Sequence, residues 1–187
     1  MTVEATMPDG DGPGPAVGAA LPATEPAAGA AALVAAAKAA GLTVATAESL
    51  TAGLVAATIA DVPGASGVLQ GGVVSYQVEV KAAVLGVSRE RLEEYGPVDR
   101  IVAQEMAAGA RRVCGADIGI STTGVAGPEP HGGHAVGTVW IGISSDLGDR
   151  ALLLDLEGDR GRIRRGSVDA ALTQAGVEVE RLVVDRR

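Results

Sequence analysis

A chain of 187 residues, 47% of them apolar, can bury one sizeable core, so a single globular domain is expected and a second is not required. The formal charge of -8 argues against a nucleic-acid backbone as partner, while a local basic cluster can still hold a small anion. A single cysteine, Cys114, excludes an internal disulfide and any multi-cysteine metal site, and points to a reducing compartment.

Residues 1–28 mix Pro, Gly, Ala and acids without a sustained period and read as a disordered tail; residues 29–187 read as the folded domain. The N-terminus lacks the basic-then-apolar order of a secretory signal, and no apolar run is long enough to cross a bilayer, so a cytoplasmic protein without a membrane partner is expected. The Ala-rich stretch GAAALVAAAKAAG predicts a helix ending at Gly41. A strand from Thr43 then runs into Glu48-Ser49, and Leu50 to Ala60 reads as a small-residue helix broken by Asp61-Val62-Pro63-Gly64. VLQGGVVSY predicts a second strand ending at Tyr76, followed by a helix that carries Lys81. Ser88 to Tyr95 and Val98 to Val113 read as helices, and ADIGISTTGVAG as a buried strand entering a Gly-rich loop. GTVWIGIS and RALLLDLEG are the last strands before a long helix from about Asp159 to Val183. Strands alternating with helices predict an α/β fold, a single layered α/β/α domain whose mixed sheet is partly parallel.

In such sheets functional groups collect where strands end, because strand ends are rigid and helix N-termini offer unpaired N–H groups. Three exits stand out: Glu48-Ser49 with Thr51, Ser75-Tyr76 followed by Lys81, and Thr122-Thr123-Gly124. Taken singly, Ser49 is an ordinary helix cap, Tyr76 a strand-end aromatic and Lys81 a solvated helix residue. Taken together they suggest a serine nucleophile, which needs an activating partner and has no plausible histidine base here. Lysine can serve only with its pKa depressed from about 10.4 by burial or nearby positive charge. Tyr76, five positions earlier, can hydrogen-bond the lysine or the serine and relay a proton. His131 and His134 lie in a Gly-rich loop without a third ligand and read as a solvated pair, so no metal is expected. Arg160, Arg162, Arg164 and Arg165 form a basic cluster suited to phosphate, or a solvated helix start paired with Glu157 and Asp159; Arg160 and Arg164, four apart, share a helix face. Trp140 reads as a core or subunit contact rather than a cofactor site.

AESLTAG, GGVVSYQVEVKAAVLGV, YGPVDRIVAQEMAAG, ADIGISTTGVAGP, VGTVWIGI and GDRGRIRRGSVDAAL occur in an order that resembles the CinA-like C-terminal domain family, which includes nicotinamide mononucleotide deamidases. The match runs from about Ala30 to Val183, and the molybdopterin-binding-like domain that precedes this module in full-length members has no room here, so a stand-alone form is expected. The resemblance implies hydrolysis of the nicotinamide carboxamide without metal or other cofactor, a small nucleotide as substrate, and a homo-oligomer. It further implies Ser49 as nucleophile, with Lys81 and Tyr76 completing proton transfer, and Thr123 and Gly124 at the substrate. Arg160 is the leading phosphate ligand and Arg164 a second candidate, while backbone N–H groups near Leu50 and Thr51 stabilise the oxyanion.

Two departures from the family pattern bear on this. Many members carry Cys-Thr-Gly-Gly after the nucleophile, where this chain has Leu50-Thr51-Ala52-Gly53; and His134-Ala135 stand where Lys-Pro is common. Two other readings stay open: a nucleotide-binding or interaction module with little deamidase activity, and an amidohydrolase for a different carboxamide.

Overall fold

The computed structural model describes residues 27–187. The tail expected over residues 1–28 falls outside them except for its last two residues, and helix α1 (Ala28–Ala40) begins there, ending at Gly41 in the left-handed conformation. Strand β1 (Val44–Glu48), helix α2 (Leu54–Ala60), a single 3-10 turn and strand β2 (Leu69–Val74) follow. Helices α3 (Val78–Leu85), α4 (Arg89–Tyr95) and α5 (Arg100–Cys114) lead to strands β3 (Ile118–Gly124), β4 (Thr138–Ser145) and β5 (Gly148–Asp155), and α6 (Arg160–Asp185) closes the chain. Local capping sets several of these ends: Ser88 caps α4, Asp99 caps α5 and Asp159 caps α6, each side chain accepting from N–H groups of the first turn.

The five strands form one open sheet in the order β2-β1-β3-β4-β5. β1 is parallel to both β2 and β3, whereas β3–β4 and β4–β5 are antiparallel. This is the expected mixed sheet, and helices cover both faces. One core joins α1, α2 and α6 to Val44, Ile118, Ile120, Val139, Ile141 and Ile143; the other joins α3, α4 and α5 to Ala45 and Ala47. The period of two along β1 sends Val44, Thr46 and Glu48 to the first face and the two alanines to the second. Glycine lets α5 lie directly on the sheet. A methyl at Gly119 would meet the Ala107 carbonyl oxygen and one at Gly142 that of Ala103, both far inside contact distance.

The register positions the site. Glu48 pairs with Val74 on one side and Thr122 on the other, so the carboxyl ends of three parallel strands lie abreast. Thr138, where β4 begins, pairs with Asp155, where β5 ends, and so brings the loop after Gly124 and the start of α6 to the same edge. Farther along α6, Glu178 is wholly buried; burial pushes its carboxyl up, but hydrogen bonds from Ser145, Arg150 and Arg181 outweigh that and hold it below its ordinary value. Trp140 is half-buried, opposite Thr123 and Leu153 in the ladder and outside both cores. Among the described residues no helix is long and apolar enough to cross a membrane.

Candidate active site

Helix α2 starts later than the sequence suggests. Residues 50–53 form a turn, with Ala52 at φ 52° and Gly53 at φ 94°. These left-handed residues delay the helix to Leu54, and Ala52 carries the cost of a Cβ there, about 1 kcal/mol. Ser49 is therefore not the helix cap. That task falls to Glu48, whose buried carboxylate accepts the N–H groups of Gly53, Val55 and Ala56, each at 2.9 Å, and the Thr46 hydroxyl at 3.2 Å. Sequence reading missed this role, although an acid just ahead of a helix is its signal.

With the helix donors taken by Glu48, the serine is free for another partner. Ser49 continues the β1 ladder through its N–H to the Thr122 carbonyl, and its Oγ lies 3.0 Å from Lys81 Nζ. Lys81 sits one turn into α3, and helix geometry directs its side chain back toward the start of that helix. There Nζ donates to the carbonyls of Ser75 at 2.5 Å and Tyr76 at 3.3 Å. The lysine is fully buried, and no carboxylate lies within ion-pair distance among the described residues. Desolvation lowers its pKa from 10.5 to about 8.

Above Ser49 opens a cavity of about 560 Å³ that also has Leu50, Tyr76, Pro97, Thr123, Gly124, His131 and Arg160 in its wall. The structure thus brings together Ser49, Leu50, Tyr76, Thr123, Gly124 and Arg160, with Lys81 beneath the serine. Thr123 donates its hydroxyl to the Pro97 carbonyl at 2.6 Å, tying the segment ahead of α5 to this wall. Arg160 donates to the Tyr76 phenol oxygen and to the Gly127 carbonyl, both at 3.0 Å, with its guanidinium exposed to the cavity.

Three expectations need correction. The Tyr76 phenol meets Arg160 rather than the lysine or the serine; the contact of Tyr76 with Lys81 is through its main-chain carbonyl. Thr51 is buried with its hydroxyl against that of Thr122 at 2.7 Å, so its side chain does not face the cavity and only its backbone N–H is left for the expected contact. Arg164 does not line the cavity either: its Nε donates to the Leu50 carbonyl at 3.0 Å and its Nη2 to the Thr51 carbonyl at 2.7 Å. His131, expected to be a solvated member of a pair, is exposed but reaches the cavity rim, and it exchanges main-chain hydrogen bonds with His134. Among the described residues no three His, Cys, Asp or Glu side chains cluster as metal ligands.

Comparison with known proteins returns one family. The family model described as the CinA C-terminal domain matches residues 27–177. A CinA-like protein from Frankia casuarinae is 48% identical over 114 residues, which are 61% of this chain and 26% of that protein. The chain spans about a quarter of the length of the curated relatives it matches. A CinA superfamily protein from Klebsiella pneumoniae shares the fold at a TM-score of 0.79 and 30% identity, covering 82% of this chain and 96% of that one. One from Escherichia coli gives 0.76 and 32%, covering 78% and 86% respectively.

Proposed function

The chain belongs to the CinA C-terminal domain family, and from that premise we propose that it hydrolyses the carboxamide of nicotinamide mononucleotide to nicotinic acid mononucleotide and ammonia, with Ser49 as nucleophile and Lys81 as base. The observation that carries the reading is the 3.0 Å contact between the buried Lys81 Nζ and Ser49 Oγ. A neutral amine has two N–H bonds and one lone pair. The carbonyls of Ser75 and Tyr76 hold the two N–H bonds, which leaves the lone pair for the serine proton. Attack on the amide carbon then forms a C–O bond and places negative charge on the carbonyl oxygen. The N–H groups of Leu50 and Thr51 take no part in the hydrogen bonds of the turn and are available to that charge. The protonated lysine returns its proton to the departing nitrogen as the C–N bond breaks. Water resolves the acyl-serine by the reverse sequence, with the same lysine as base.

Arg160 supports a phosphorylated substrate, because it lies in the same cavity wall as the nucleophile and its guanidinium offers paired donors. Tyr76 joins the two ends of the site, holding the base through its carbonyl and the arginine through its phenol. Arg160→Gln is expected to raise KM for the mononucleotide about 10- to 100-fold with a smaller fall in kcat, as for loss of one charged hydrogen bond; an unchanged KM would remove Arg160 from the phosphate site.

The deciding experiment is ammonia release from nicotinamide mononucleotide and from nicotinamide across pH 6–10. Release is expected from the mononucleotide, with kcat/KM rising to a plateau above the Lys81 pKa of about 8, because the amine must be neutral to act. At pH 7 only about a tenth of the enzyme is then in the active form. Binding of the mononucleotide without ammonia release would support a nucleotide-binding module instead, and release from another carboxamide alone would reassign the substrate.

A further inference from the structure

Arg164 touches the nucleophile turn rather than the cavity, and its two contacts have a directional consequence. Its guanidinium holds the carbonyls of Leu50 and Thr51 together on one side of the turn. A peptide bond is planar and trans, so a carbonyl held on one side sends the N–H of the following residue to the other. The two N–H groups concerned are those of Thr51 and Ala52. That of Ala52 reaches the Ser49 carbonyl at 3.1 Å, which identifies the side opposite Arg164 as the side of Ser49. The Thr51 N–H emerges on the same side and has no acceptor within the turn.

This orientation is held against a local preference. Ala52 sits at φ 52°, a region that L residues other than Asn and Asp rarely adopt. Rotating the Thr51–Ala52 peptide by half a turn would return Ala52 to negative φ, but it would pull the Thr51 carbonyl off both the guanidinium and the Leu54 N–H, and the Ala52 N–H off the Ser49 carbonyl. Glu48 holds the far end of the turn through Gly53, Thr122 holds the Thr51 side chain, and the Thr51–Ala52 peptide is also tied to the Ser49 carbonyl and the Leu54 N–H; the Leu50–Thr51 peptide, whose carbonyl accepts from Arg164 and from no other group among the described residues, is what remains for Arg164 alone to hold. A positive charge on a carbonyl oxygen also polarises its peptide and makes the N–H a stronger donor.

We infer that Arg164 is a positioning residue that aims the Thr51 N–H at the oxyanion formed on attack by Ser49, a role distinct from the anion-binding role of Arg160. The inference rests on Ser49 being the nucleophile but not on the identity of the substrate. The test therefore uses two acyl donors, nicotinamide mononucleotide and p-nitrophenyl acetate; the ester carries neither phosphate nor nicotinamide. With the ester, the Ser49 Oγ–acetyl bond forms, p-nitrophenolate leaves, and Lys81 takes the serine proton.

Arg164→Gln is expected to lower kcat for the mononucleotide about 100-fold, as for loss of one oxyanion donor, with KM within about twofold of wild type. The acetylation burst should slow by a similar factor, and millimolar methylguanidinium should restore part of both rates in Arg164→Ala. Arg165→Gln, which removes an exposed charge one residue away, should leave both rates unchanged. If Arg164→Gln fails to fold, Arg164→Lys, which keeps the charge but cannot span two carbonyls with a planar fork, should show the same loss in kcat. A raised KM with unchanged kcat and unchanged acetylation would overturn the inference and make Arg164 a substrate ligand. A wild type that acetylates Ser49 but spares the mononucleotide would cost only the substrate assignment, and the burst would still read the role of Arg164. A wild type inert to both donors would remove Ser49 as nucleophile and the role of Arg164 with it.

Discussion

Replacing Lys81 by methionine is expected to lower kcat for amide hydrolysis about 10⁴-fold and, at neutral pH, to raise the stability of the fold. The two effects share one cause. Lys81 is fully buried beside Ser49 with no carboxylate partner, so its ammonium form is poorly solvated; this costs folding free energy and at the same time makes the neutral base accessible. Its folded pKa of about 8 lies below the unfolded 10.5, so the unfolded chain binds more protons between those values. The penalty, about 3 kcal/mol, is fully present below pH 8 and is relieved as pH rises from about 8 to 10.5. Methionine fills a similar volume without a charge, so the stability advantage of the variant should be largest below pH 8 and shrink across that window. Ser49→Ala should lose at least as much activity. The double variant should be no slower than the worse single one, because nucleophile and base act as a unit. Denaturant unfolding at pH 6, 8 and 10 alongside ammonia release checks both halves. A methionine variant that keeps its rate removes Lys81 from the chemistry, and one less stable than wild type at pH 6 contradicts the desolvation account.

Glu48→Ala is expected to destabilise the protein by about 3 kcal/mol or more, about 1 kcal/mol or more for each N–H group left unsatisfied, and to reduce turnover as well. Its carboxylate is the shared acceptor for three N–H groups at the start of α2 and for the Thr46 hydroxyl, and alanine leaves them without a partner in a buried place. A helix of seven residues has little intrinsic stability to absorb that loss. The expected fall in Tm is about 10 °C. Because the same carboxylate holds the end of the Ser49 turn, kcat should drop in the folded fraction too. Glu48→Gln keeps the shape and one acceptor oxygen but must turn an amide N–H₂ toward backbone donors, so it should lie between alanine and wild type. An alanine variant that melts with the wild type would show that water or another group satisfies those donors.

Much of this was legible in the residues themselves, and the failures are as informative as the successes. The Ala-rich first helix, its stop at Gly41, the helix after Ser88 and the long final helix follow from propensity, caps and period, which are local properties. The residues place the start of α2 too early because Leu50 to Ala60 is mostly Ala, Leu and other apolar residues, and a single Gly53 within such a run reads as a tolerated interruption. What stops them is the left-handed turn held by Glu48, Thr122 and Arg164, and Glu48 apart, these reach it from strands and helices distant in the chain. The spacing of Tyr76 and Lys81 suggests a contact through the phenol, yet spacing does not say which way a side chain at a strand exit turns. Arg160 and Arg164 share a helix face as expected, but a face covers more than one depth, and four residues move a guanidinium from the cavity wall to the underside of the turn after Ser49.

The amino-acid order alone determined the alternation of strands and helices, the three strand exits that meet at the cavity and the family to which the chain belongs. Each of these is written in neighbouring residues or in the order of short blocks. Tertiary structure alone decided that Lys81 is buried next to Ser49 with a lowered pKa, that Glu48 rather than Ser49 caps α2, and that one arginine faces the cavity while the other clamps the turn. Those outcomes depend on distance and solvent exclusion among segments far apart in the chain, and these exist only once the helices have packed onto the two faces of the sheet.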